Sequence, residues 1–154
     1  MRYALASSLV FFAVLTTPAR ATEVTGPARF CGYSTIIDLE AGEKVRIVDA
    51  GIHAGRFLWL GSFGALEVRN IGWAKRPAGR IVRKSTQAKP ARFQQTKSRD
   101  VYSVALWNGR QGVAYITSST RFTTNQIEAI DRVKLYQEGE PPQNCTMRTV
   151  FIWE

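Results

Sequence analysis

The feature that most limits the fold of this chain is the rhythm of its turn signals. After residue 21, Gly, Pro, Asn and Asp recur at short intervals and the runs between them are of strand length, which is how a β-sandwich or a partly closed barrel reads. Strands are predicted over Tyr33 to Leu39, Lys44 to Asp49, Arg56 to Leu60, Ala65 to Ile71, Arg80 to Arg83, Val101 to Trp107, Arg110 to Thr117 and Thr146 to Trp153, roughly eight in all. Asn108-Gly109 between two of these runs predicts a type I′ hairpin, because both central residues of that turn need positive φ. In its first strand Tyr102, Val104 and Leu106 line one face and Val101, Ser103, Ala105 and Trp107 the other. Gly61-Ser62-Phe63-Gly64 reads as a second hairpin turn.

One segment departs from this all-β pattern. Thr123 as N-cap, Gln126 three positions on, and the apolar pair Phe122 and Ile127 compose a capping box with a hydrophobic staple. A short helix is predicted over Thr124 to Asp131, followed by a strand around Arg132 to Leu135, since Val133, Leu135 and Tyr136 do not share a helical stripe with Ile127 and Ile130. The alternative is one helix continuing to Glu138 and stopped by Gly139. Gly139 to Asn144, with Pro141-Pro142, then feeds the last strand.

The first 21 residues have the form of an export signal. Met1-Arg2 is a basic start, Tyr3 to Leu15 an apolar run, and Ala19-Arg20-Ala21 a small-x-small cleavage site preceded by Pro18. The apolar run is shorter than the ~18 to 20 residues of a spanning helix. The expected organisation is a cleaved signal peptide, residues 1–21, and a single secreted β domain, residues 22–154, with a secreted or periplasmic location. No cysteine follows the cut directly, so a lipid anchor is not expected. The two cysteines, Cys31 and Cys145, lie near opposite ends of that domain, 114 positions apart. In an oxidising compartment they predict a disulfide that clasps the termini.

The functional clue is the distribution of charge. Arg69 to Arg99 holds ten cations and no Asp or Glu, whereas the rest of the chain beyond residue 21 holds nine cations and twelve acids. Segregation of this kind produces a one-sided field that draws anions and weakens with salt. Pro77, Gly79 and Pro90 keep much of the stretch irregular, so Lys75, Arg76, Arg80, Arg83, Lys84, Lys89 and Arg92 are the anion-binding candidates. Trp73 is the stacking candidate and the tryptophan expected at the surface, with Phe93 a second flat group. Trp107 and Trp153, on predicted strands, are assigned to the core. The competing reading is a hydrated surface, or cations folded against acids from elsewhere in the chain. An anionic polymer or an acidic protein fits as partner better than intracellular nucleic acid, for which the chain has no motif.

The resources for catalysis are few. His53, in Gly51-Ile52-His53-Ala54-Gly55, is the one histidine, and no GxSxG, HExxH, GxGxxG or Walker pattern occurs. Asp38, Glu40 and Glu43, and Glu138 and Glu140, fall at predicted turns and read as loop acids rather than as a glycosidase pair. No cofactor or metal motif is present. Asn144-Cys145-Thr146 matches a glycosylation sequon that matters only in a eukaryotic secretory pathway. The expectation is a non-catalytic binding module for an anionic partner. The alternatives are a structural or inhibitory protein, and a hydrolase with an unrecognised site.

Overall fold

Period-two alternation becomes a two-layer fold in the computed structural model, which describes residues 23–84, 92–98, 101–110, 112–136 and 144–148. These residues form twelve strands and one helix: β1 Glu23–Thr25, β2 Ala28–Cys31, β3 Thr35–Leu39, β4 Lys44–Ala50, β5 Ala54–Gly61, β6 Gly64–Ile71, β7 Arg80–Lys84, β8 Arg92–Ser98, β9 Val101–Trp107, β10 Val113–Ser118, α1 Thr124–Asp131, β11 Lys134–Leu135 and β12 Met147–Arg148. An eight-stranded sheet runs in the order β1-β4-β5-β6-β10-β9-β8-β7, and a four-stranded sheet in the order β11-β3-β2-β12. The large sheet does not close on itself. The architecture is that of a sandwich and not of a closed barrel.

Each inner face supplies the core. Phe57 and Trp59 on β5, Leu66 and Val68 on β6, and Leu106 on β9 are fully buried, and the small sheet adds Phe30 and Ile37. Phe30 meets Phe57 edge to face at 4.6 Å, which joins the two sheets, and Phe63 meets Trp59 at 4.9 Å. Each such side chain contributes roughly 1.5–3 kcal/mol on burial. The outer face of the large sheet alternates with it: Arg56, Glu67 and Arg69 are exposed between buried neighbours.

The turn between β5 and β6 is the two-residue hairpin the sequence predicts, with Gly61 paired to Gly64. Its close fit depends on glycine, because a Cβ on Gly61 would come within 2.6 Å of the Phe63 ring. Helix α1 begins at the predicted cap. The Thr123 hydroxyl accepts from the Gln126 amide at 3.2 Å, and the Gln126 side chain accepts from the Thr123 amide at 3.0 Å. It ends at Asp131, and β11 follows, so the shorter of the two helices considered is the one formed.

Two expectations are corrected. The β9–β10 connection is not a type I′ hairpin: it spans residues 108–112, Trp107 pairs with Val113, and of Asn108 and Gly109 only Gly109 has positive φ. Asn108 instead uses its side chain, accepting from the Arg110 amide at 2.9 Å and donating to the Tyr136 carbonyl at 3.5 Å. Strands also form where none was read: short β1 and β2, and β8 across the basic stretch, lack a clear alternation of apolar residues. β1 is placed by the non-adjacent strand β4, whereas β2 and β8 each pair with the strand that follows them, β3 and β9.

The chain changes sheets between β1 and β2 at Gly26-Pro27, which is joined by a cis peptide bond. Cys31, at the end of β2, is bonded to Cys145 with a Cα separation of 5.8 Å. β12 then runs parallel to β2, pairing Met147 with Phe30 and Arg148 with Cys31. The clasp expected from the two cysteines is therefore present. No helix among the described residues is long and apolar enough to cross a membrane.

Candidate functional site

The loop that leaves β6, Gly72 to Gly79, cannot extend the sheet. Pro77 lacks an amide proton, and Gly79 takes a φ of 120°. Pro77 is buried and anchors the loop, whereas Trp73, Lys75 and Arg76 are exposed. The Gly72 amide donates to the His53 carbonyl at 3.0 Å, tying this loop to the β4–β5 turn. The His53 and Trp73 rings stack with centroids 6.2 Å apart and planes inclined by 27°. Trp73 is 64% exposed, as expected for the stacking candidate, and Ile52 on the neighbouring turn is 69% exposed. The indole and this isoleucine share one end of the sheet, an association with no signal in the linear sequence.

From this loop the chain enters β7, the last strand of the large sheet. The register pairs Arg80 with Gln95, Arg83 with Phe93 and Lys84 with Arg92, and then Arg92 with Trp107 on β9. Lys84, Arg92 and Trp107 consequently occupy one row across three adjacent strands. The Arg76 guanidinium lies over the Trp107 ring, 5.8 Å from its centroid. Six of the seven anion-binding candidates thus belong to one end of one sheet: Lys75 and Arg76 in the loop, Arg80, Arg83 and Lys84 on β7, and Arg92 on β8. Lys89 lies outside the described residues.

Trp107 is not a core residue. It sits half-buried on the face opposite the core, and its indole N–H donates to the Arg110 carbonyl at 3.2 Å. A cation stacked on an aromatic face at this distance is attracted by the ring quadrupole, and nothing in the sequence alone brings Arg76 to Trp107. The expected division of β9 into two faces holds, and Trp107 falls on the face opposite buried Val104 and Leu106, in register with Val113 and Arg92. Trp153 lies outside the described residues.

The electrostatic pattern is uneven. Among the described residues, ion pairs draw their cations from Arg29, Lys44, Arg46, Arg56, Arg132 and Lys134. Arg69, Lys75, Arg76 and Lys97 make none with the described carboxylates, so these four members of the basic stretch are not folded against acids.

The remaining candidates resolve differently. Asp38 lies on β3, where the Arg29 guanidinium at 2.6 Å, and secondarily the Lys134 ammonium at 2.8 Å, hold its carboxyl at about 2, well below the usual carboxylate range. Glu43 lies in the β3–β4 turn, as expected, but it is not a solvated acid. It is buried beneath Arg132, and it also accepts from the Glu40 amide at 3.0 Å. Glu138 and Glu140 lie outside the described residues. A shallow groove of about 310 Å³ on the outer sheet face is lined by Asp49, Ala54, Gly55, Arg56, Glu67 and Arg69, with both signs of charge and Arg56 3.7 Å from Glu67. Among the described residues no group of three or more His, Cys, Asp or Glu side chains is placed to hold a metal ion.

Comparison of the chain with protein-family models, with curated proteins and with solved structures returns no match in any of the three.

Proposed function

We propose that this is an exported, non-catalytic binding module that holds an anionic partner, a polyanion of an envelope or matrix or an acidic protein, through the basic end of its large sheet. The observation that carries the reading is the convergence on Trp107: Arg76 stacks over its ring, and Arg92 and Lys84 continue its row across β8 and β7. A guanidinium stacked on a flat ring, as Arg76 is on Trp107, offers fixed donors to carboxylate, sulfate or phosphate and holds that geometry at little entropic cost. The freedom of Arg69, Lys75, Arg76 and Lys97 from ion pairs with described acids supports the same reading. Export is supported by the form of residues 1–21 and by the Cys31–Cys145 bond, which suits an oxidising compartment.

The test is retention on heparin and on phosphocellulose at physiological salt. The protein should be retained and elute as salt rises, and neutralising Arg80, Arg83, Lys84 and Arg92 together as glutamines should abolish retention. Elution of the wild type at low salt, with the variant unchanged, would remove the proposal. Salt-insensitive capture of a single protein by both forms would favour an inhibitory or structural role instead.

A further inference from the structure

We infer that the sheet end bearing Ile52, Trp73, Lys75 and Arg76 docks on a lipid bilayer rich in anionic headgroups, an inference that rests on the anionic-partner reading and names its partner. Two large apolar side chains stand in water on adjacent loops, Ile52 at 69% and Trp73 at 64% exposure. They are not loose. Gly72, next to Trp73, donates its amide to the carbonyl of His53, next to Ile52, at 3.0 Å, and the His53 ring backs the indole. A fold that leaves an isoleucine and a tryptophan exposed on two loops tied to each other forgoes their burial unless a partner supplies it.

The chemistry around them selects the partner. Indole is favoured at the boundary between headgroups and acyl chains, because its ring is largely apolar and its N–H is polar. Lys75 and Arg76 follow two and three positions later with long apolar stems, which suit cations at the level of lipid phosphates. Asp49, the closest acid along the chain to Ile52, is set back on β4, in register with Arg56. A soluble polyanion would account for the cations and for one face of the indole, but it has no use for Ile52, whereas acyl chains do. The other face of Trp73 already lies toward imidazole.

The experiment uses the protein recovered after export, sedimented with vesicles of phosphatidylcholine alone and of phosphatidylcholine containing one third phosphatidylglycerol, beside heparin retention. The wild type should bind the anionic vesicles, release them as salt rises, and ignore the neutral ones. Ile52→Ser, at an exposed position outside the anion-binding candidates, should weaken vesicle binding about tenfold and leave heparin retention unchanged. The inference falls if neutral vesicles bind equally, if Ile52→Ser binds vesicles like the wild type, or if it loses heparin and vesicles alike. Heparin retention without vesicle binding would overturn it while leaving the anionic-partner reading intact. Loss of both in the wild type would remove the two together.

Discussion

Arg132, just past the end of α1, inserts its guanidinium against the buried carboxylate of Glu43 and spreads over the Trp59 ring, 5.2 Å from its centroid. The same guanidinium reaches Glu40 at 3.1 Å and the Asp38 carbonyl at 3.4 Å, and the Trp59 indole N–H donates to Glu43 at 3.4 Å. One cation therefore fastens the helix to the β3–β4 turn and caps the largest side chain of the core. Arg132→Met should cost about 2–3 kcal/mol, because the carboxylate remains buried without its main partner. Glu43→Gln/Arg132→Met should recover part of that loss. Urea denaturation of the two variants checks it, and equal stabilities would mean that Glu43 is satisfied without Arg132.

Asp38 makes stability depend on acid. Its folded pKa of about 2, lowered first by the hydrogen bond from Arg29 and then by Lys134, lies beneath the ordinary 3.8. A depressed carboxylate contributes stability that is fully present above the ordinary value and is lost as pH falls through the folded one. The contribution should disappear between about pH 4 and pH 2. Asp38 is half-exposed, so the screened effect is about 0.5–1 kcal/mol. Denaturation midpoints measured from pH 6 down to pH 2 should fall less for Asp38→Asn than for the wild type over that window.

Reduction of the cystine should be the most costly single change. A closed loop of 114 positions corresponds to roughly 4–5 kcal/mol of restrained unfolded-chain entropy, a ceiling in practice. Cys31→Ser/Cys145→Ser should lower the thermal midpoint, and intact mass with and without reduction should show two thiols appearing only on reduction.

Much of the architecture was legible because the signals were local. Thr123 and Gln126 bond each other three positions apart, and the alternation in β4, β5, β6 and β9 is contained within each strand. The pairing of Cys31 with Cys145 was legible because no other partner exists for either. What was hidden was non-local. Glu43 reads as a turn acid until Arg132, 89 positions away, is placed over it. Trp107 reads as core until the pairing of β8 and β9 sets Arg92 beside it and the β6–β7 loop brings Arg76 over the ring. Asn108-Gly109 carried the right composition for a tight turn, but Asn108 spends its amide on Tyr136 and the connection lengthens. Ile52 carried no signal, since its significance arises only from its juxtaposition with Trp73.

Among the described residues β7 ends the large sheet, and a terminal strand offers main-chain donors and acceptors on which a second copy of the molecule can template itself. Three of its five residues are Arg80, Arg83 and Lys84. Two molecules approaching edge to edge through this strand bring like charges together, and that repulsion opposes pairing between copies and weakens as salt rises.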